Sequence, residues 1–478
     1  MLTTSEYLEL DALDLSRGLR NKDFSCCEVM HAAIDRASVV NPTLNAVLSP
    51  NYDQAMSQAQ AFDQNPEIYQ QSLLAGLPFL IKDLATVKGL VTGFGSRLYN
   101  GVVSQQNAKI VHRYIDAGLI VIGKTNTPEF GLTLTTEPVA NGATKNPWNL
   151  GFSTGGSSGG AAAAVASGIL PVAHATDGGG SIRIPAANCG LVGFKPSRGL
   201  TTIEDEIAGC WSGMSVGHVV SQTVRDSAAF LDVITLSKPH LFPKPHSPAA
   251  FLDELNIEPR PLTVGIQLTP PMGQQIHSDC IGGVQKAAKY LSDLGHSVTE
   301  INHPVDYKHV TSATGKIINI HVYQSVKKRL SELGLTIESS QLESSSKLMA
   351  TIGSKISADD YITALDTLKR AAALMHEFHK TCDIIISPVL SMPPAPLGWL
   401  DMNSDDLAEY GDKYKHYSGF SALYNATGQP SLSLPLHQNS QGLPIGVMLT
   451  ANWGEDALLL QLARQLETAY PWPRRAPL

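Results

Sequence analysis

Cysteine is scarce. Six are spread over 478 residues, at positions 26, 27, 189, 210, 280 and 382, with no metal-ligand spacing among them. That excludes a disulfide framework and predicts free thiols in a reducing compartment. Charge is thin as well, at 16% of residues, and no run of like charges occurs. The net charge of −8 is of the wrong sign for a nucleic-acid or anionic-membrane partner, either of which favours a basic surface. No stretch approaches the roughly 18 apolar residues that span a bilayer. The run 161–175 is too short and too rich in alanine. The first seven residues, Met1 to Tyr7, lack the basic-then-apolar pattern of a signal peptide, so the expected location is the cytoplasm.

What is present is apolar content of 43%, enough for a large core, with 40 glycines and 29 prolines to supply turns. Residues 1–70 read as helices: Leu8, Ala12, Leu15 and Leu19 recur at helical spacing, and Ser25 is placed to cap a helix over 26–39 that Asn41-Pro42 would stop. Residues 75–87 and 119–123 read as short buried strands flanking a helix over 110–117, ended by Gly118. The alternation continues with a helix at 161–168, a strand at 170–175 and a helix at 224–234. Residues 237–262 are rich in proline and histidine and form the candidate linker or excursion. Beyond them come strands at 262–267 and 297–301, helices at 282–294 and 362–379, an apolar run at 383–390, strands at 431–436 and 445–450, and a helix at 457–468. This pattern predicts an α/β fold, layered α/β/α around a central mixed sheet. The expected organisation is a single domain over 1–478, with a core at 70–235, helices at 1–70 and an α/β part at 262–478. Residues 300–420 give no readable pocket.

Chemistry points to two glycine-serine segments, Gly155-Gly156-Ser157-Ser158-Gly159-Gly160 and Asp177-Gly178-Gly179-Gly180-Ser181-Ile182-Arg183. Consecutive glycines let a backbone approach a ligand and aim several N–H groups at one point. The first segment has three readings: a flexible linker, a nucleophile elbow or a ligand loop. The elbow pattern G-x-S-x-G fits at Ser153, Ser157 and Ser158 in overlapping frames, which glycine-serine richness produces by chance, and Trp148 to Thr154 is not the apolar strand an elbow wants. A phosphate loop fails, because Gly-Ala-Ala follows where Gly-Lys-Ser/Thr is required. The second segment is a linker, a bulge or a site holding Ser181 as a nucleophile. Lys82, on the run Leu80-Ile81, is either a snorkelling surface lysine or a buried base.

The order of these blocks resembles the amidase signature family. The resemblance is carried by Gly76-Leu77-Pro78 to Lys82-Asp83, Thr125-Asn126-Thr127-Pro128-Glu129-Phe130-Gly131, the two glycine-serine segments, and Cys189-Gly190-Leu191-Val192-Gly193-Phe194-Lys195-Pro196. It is close over about 70–235 and weaker at Pro388 and over 422–453, including Asn425 to Pro430. Gly178 stands where many members have threonine. This and Pro393 to Gly398 resemble the branch of 6-aminohexanoate cyclic-dimer hydrolases.

The resemblance implies a Ser-Ser-Lys triad. Ser181 would be the nucleophile, Ser157 the bridging hydroxyl and Lys82 the base, with a cis peptide between Gly156 and Ser157. Backbone N–H groups of Gly178, Gly179, Gly180 and Ser181 would hold the oxyanion. Asp177 and Arg183 would brace the loop (a surface ion pair being the plainer alternative), Ser158 would hydrogen-bond nearby, and Gly131 would line the acyl pocket. No cofactor and no metal are implied. The partner is a small linear or cyclic amide, with a homodimer possible; a glutaminase subunit of a tRNA-dependent amidotransferase is the alternative. His174 and His218 read as core residues. A neutral lysine base needs a pKa lowered by about 3 units, so Asp83 must turn away from the Lys82 amine.

Overall fold

The structure is a computed structural model and describes residues 2–65, 67, 72–201, 209–238 and 241–478. A small sheet comes first. Strand β1 (Val47–Leu48) pairs antiparallel with β3 (Ile120–Thr125), which pairs parallel with β2 (Pro78–Lys82). A surface hairpin follows, β4 (Lys145–Asn146) and β5 (Asn149–Ser153). The large sheet contains β6 (Val172–Asp177), β7 (Val192–Lys195), β8 (Val216–Ser221), β9 (Thr263–Ile266), β10 (Ser297–Glu300), β11 (Ile384–Pro388), β12 (Ser431–Gln438) and β13 (Pro444–Ala451). Its order is β10-β9-β11-β13-β12-β7-β8-β6. Only the β10–β9 and β9–β11 pairings are parallel; the rest are antiparallel, so the sheet is mixed, as the alternation of elements predicts.

The layering can be read off β13. Successive side chains of a strand leave on opposite faces. Val447, Leu449 and Ala451 enter the core that includes Val284 and Leu291 of the helix Ser278–Asp293 and Leu459, Leu462 and Leu466 of the helix Asp456–Ala469. Met448 enters a second core, which holds Ile184 and Ala187 of the helix Arg183–Cys189, Leu423 and Tyr424 of the helix Ser421–Thr427, and Ile317, Val326 and Leu330 of the helix Tyr307–Leu333. Strands β2, β3, β7, β8, β11 and β13 are buried throughout, which is why β2, β3, β11 and β13 read as apolar runs and not as alternating patterns; β7 and β8 were not read from the sequence.

One expectation needs correction, and one open choice is decided. The helix that Ser25 opens, with a capping box to Glu28, runs through Pro42 to Leu44. Proline removes one N–H, but the last turn still closes: Asn45, in the left-handed region, donates its N–H to the Asn41 carbonyl at 2.8 Å. The described part of 237–262 is an excursion packed on the body. Phe251 and Leu252 donate their N–H groups to Asp232, and Phe251 is buried in the first core. The helix Tyr307–Leu333 was not legible in the sequence, and neither were Ser344–Gly353 and Leu407–Tyr417.

Candidate active site

Lys82 is the last residue of β2 and is fully buried. It lies beside β6, whose His174 Nδ1 accepts the Lys82 backbone N–H at 3.2 Å. Thr176, two residues further along β6, faces the same way. Lys82 Nζ donates to Ser157 Oγ at 2.8 Å and to Thr176 Oγ1 at 2.9 Å. Among the described residues, no carboxylate lies within ion-pairing distance of this amine. Burial is the dominant influence on it and lowers its pKa from 10.5 to about 7, against a smaller opposing pull from Asp177. Asp83 turns away, to Lys124 at 3.2 Å and to the Gly93 N–H.

Ser157 precedes the helix Gly159–Ala166, and the Gly156–Ser157 peptide is cis. The glycines of this loop answer to close backbone approach; a Cβ on Gly156 would run into the Thr135 carbonyl. Ser158 Oγ donates to the Thr176 carbonyl at 3.2 Å and accepts its N–H at 3.3 Å. The Ser158 N–H reaches the Ser181 carbonyl at 3.3 Å, so the two serine loops are joined beside the two hydroxyls. Ser181 itself is half-buried, and among the described residues its Oγ takes no hydrogen bond from or to Ser157. Gly131, at φ +71°, closes over the first serine: a Cβ there would stand 2.8 Å from Leu84 Cδ1 and 3.0 Å from Ser157 Oγ.

The loop 178–181 is fixed by a fully buried ion pair. Arg183 donates from Nε to Asp177 Oδ2 at 2.9 Å and from Nη2 to Oδ1 at 2.8 Å. This replaces the surface ion pair of the plainer reading. Burial pushes the Asp177 carboxyl up, but the Arg183 guanidinium outweighs it and holds the group well below the usual carboxylate range. Asp177 also accepts the N–H groups of Gly180 at 2.7 Å and Ile182 at 3.1 Å. The Gly180 N–H is thereby withdrawn from the expected set of oxyanion donors. Gly178, Gly179 and Ser181 keep backbone N–H groups with no internal acceptor among the described residues, and open space lies where a Gly179 Cβ would stand. At Gly178 a Cβ would meet the Trp211 ring at 2.5 Å, so the side chain that many family members carry here has no room in this chain.

Four supports escaped the sequence reading. Thr176 is the second acceptor for Lys82; its i, i+2 relation to His174 on β6 is the signal that could have found it. Asn425 donates to the Asp177 carbonyl and to Oδ1, both at 2.9 Å, and accepts from Arg183 at 2.6 Å. Ser421 Oγ donates to the Gly179 carbonyl at 2.7 Å. Trp211 covers Gly178. The last three come from segments remote in sequence; Asn425 opens the family-like block noted in the sequence, with no role assigned to it there, and nothing local announces Ser421 or Trp211. His174 and His218 are fully buried, the latter hydrogen-bonded to Ser227, and burial pulls both down to about 3. Among the described residues, no group of three or more His, Cys, Asp or Glu side chains is arranged to hold a metal ion. No described helix is long and apolar enough to cross a membrane.

The site is thus a buried lysine on two hydroxyls, next to a glycine loop with unspent N–H groups. Residues 28–460 match the Amidase family, and the chain belongs to the amidase signature family, whose members hydrolyse amide bonds. Among its relatives is the 6-aminohexanoate-cyclic-dimer hydrolase of Paenarthrobacter ureafaciens, 32% identical over 486 aligned positions that cover 98% of this chain and 96% of that protein. The solved structure of a 6-aminohexanoate cyclic dimer hydrolase complexed with substrate superposes with a TM-score of 0.90 at 30% identity, covering 98% of this chain and 99% of that one. A bacterial aryl acylamidase of the same family superposes at 0.84 and 26% identity, with coverage of 97% and 96%.

Proposed function

We propose that this amidase cleaves the carboxamide bond of a small linear or cyclic amide through an acyl-enzyme on Ser181, with Lys82 as base and Ser157 as the bridging hydroxyl. Uncharged Lys82 Nζ takes the Ser157 proton as Ser157 takes that of Ser181, and Ser181 Oγ attacks the carbonyl carbon. The carbonyl oxygen, now negative, is held by the N–H groups of Gly178, Gly179 and Ser181; one such donor typically contributes about 10²–10³ in rate. The proton on Lys82 returns through Ser157 to the nitrogen, the C–N bond breaks and the amine departs. Water then repeats the sequence on the Ser181 ester, which releases the acid. With a cyclic amide the departing amine stays tethered to the acyl chain, so water must reach the ester before the ring recloses. The relatives' name for a cyclic dimer of an amino acid favours this substrate class.

The observation that carries the reading is a fully buried lysine whose two hydrogen bonds both go to hydroxyls. A hydroxyl both accepts and donates, so it can pass a proton on. The test is a panel of linear and cyclic amides and the matching esters, run with wild type, Ser181→Ala and Lys82→Ala, together with labelling by a serine-reactive fluorophosphonate. The expected result is turnover and a single labelled peptide containing Ser181 in the wild type, with neither in Ser181→Ala and no turnover in Lys82→Ala. Wild-type turnover by either variant would refute the assignment.

A further inference from the structure

A second buried lysine stands beside the site, and the reaction does not use it. The register of the small sheet pairs Ile81 with Lys124 and Lys82 with Thr125. Because side chains alternate along a strand, Lys124 shares a face with Ile81 and, two residues on, with Asp83, while Lys82 leaves on the other face. The contacts follow this geometry. Lys124 Nζ is fully buried, donates to the Ala85 carbonyl at 2.6 Å and to Thr92 Oγ1 at 3.0 Å, and lies 3.2 Å from Asp83 Oδ1. The Gly93 N–H reaches both Asp83 oxygens, at 3.2 and 3.0 Å. Gly93 also leaves no slack, since a Cβ there would sit 3.1 Å from Asp83 Oδ2.

We propose that Lys124 is a positioning residue for the reaction: it fastens the Asp83 carboxylate on the far face of β2, so that the Lys82 amine meets hydroxyls alone. This rests on Lys82 being the base. Asp83 is the next residue in the chain, and a carboxylate within about 4–6 Å raises the pKa of an amine by about 1–3 units, enough to offset part of what burial achieves. The other titratable and charged groups facing Lys82 are already committed. Asp177 is bound to Arg183, and His174 is kept neutral by burial, with its Nδ1 on the Lys82 N–H. Asp83 is, like Asp177, a buried carboxylate held off the base by a cation outside the reaction, and it is the one next to Lys82 in the chain.

The test is the pH profile of kcat/KM for Lys124→Met, Asp83→Asn and the double variant, on an amide the wild type hydrolyses. Lys124→Met should move the acid limb up by about one pH unit, roughly a tenfold loss at pH values below it. The double variant, which removes both charges, should bring the limb back to the wild-type position. A limb that stays put in Lys124→Met while activity falls at every pH, or a shift that survives in the double variant, would overturn the proposal. If Lys124→Met does not fold, Asp83→Asn decides: with Lys124 uncompensated beside it, the limb should move down, and an unmoved limb refutes the coupling. Failure of the base assignment looks different, since Lys82→Ala would then keep its turnover.

Discussion

Replacing Lys82 with Met should abolish turnover and stabilise the protein, by an amount that shrinks as pH rises. The folded pKa of Lys82 is about 7 against an ordinary 10.5. Between those values the unfolded chain binds the proton that the folded chain has released, so wild-type stability climbs with pH at up to about 1.4 kcal/mol per unit. Below pH 7 both states are protonated, and the folded protein carries the full penalty of a buried ammonium, about 5 kcal/mol. By pH 9 about 2 kcal/mol is left, and above 10.5 none. Methionine carries no such penalty but forfeits the hydrogen bonds to Ser157 and Thr176, about 1 kcal/mol each. That loss is the same at every pH. The difference between variant and wild type should therefore fall by about 3 kcal/mol from pH 6 to pH 9, whatever its absolute size. Guanidinium unfolding of both proteins at the two pH values measures it. Lys195 is also drawn down to about 7 and adds its own slope, but it is present in both proteins and cancels. A stability difference that is flat with pH, or that grows toward pH 9, would refute a depressed Lys82 and with it a base that is neutral at rest.

Gly131→Ala should cut kcat at least tenfold and cost roughly 1–2 kcal/mol, because the new methyl group meets Leu84 and Ser157 Oγ from a left-handed backbone that alanine disfavours; steady-state kinetics and thermal melts would show both. Asp177→Asn should destabilise the fold by about 3–5 kcal/mol, because it leaves the Arg183 guanidinium buried without its counter-charge. A thermal midpoint unchanged in Asp177→Asn would mean that the pair does not hold the loop 178–181.

The parts of the molecule that were legible are those where local chemistry decides. The capping box at Ser25 and Glu28, the apolar runs of β2 and β3 and the helix Val224–Ile234 are each fixed by neighbours within a few residues. The serine loops stood out through their consecutive glycines, and Lys82 through the resemblance of the blocks around it to the amidase signature family. Strand direction was not legible. Helix-strand alternation points to a mixed sheet but does not say which strands run antiparallel, and the pairing of β6 with β8 depends on which sheet edge each strand meets. The helix Tyr307–Leu333 stayed hidden because Ile317, Ile318, Ile320, Val322 and Tyr323 crowd apolar side chains onto several of its faces, which blurs the stripe formed by Val310, Ile317, Val326 and Leu330. The supports of the loop 178–181 stayed hidden for a related reason. Asn425 and Ser421 matter through their distance from Asp177 and Gly179, which only the fold creates.

A low lysine pKa does not in itself mark a base, and Lys195 shows why. It too is fully buried and lowered to about 7, chiefly by desolvation and then by Arg183. Its amine, however, donates to the Pro196 carbonyl at 2.9 Å. A carbonyl accepts a hydrogen bond but has no proton to give up, so the link ends there. Lys82 differs in what it touches. Both its partners are hydroxyls, one of them adjoins the loop that carries Ser181, and the two nearby carboxylates are each held by a separate cation, Asp83 by Lys124 and Asp177 by Arg183. Desolvation makes both amines poor cations. Only the one whose hydrogen bond ends on a group able to release a proton can turn that into catalysis.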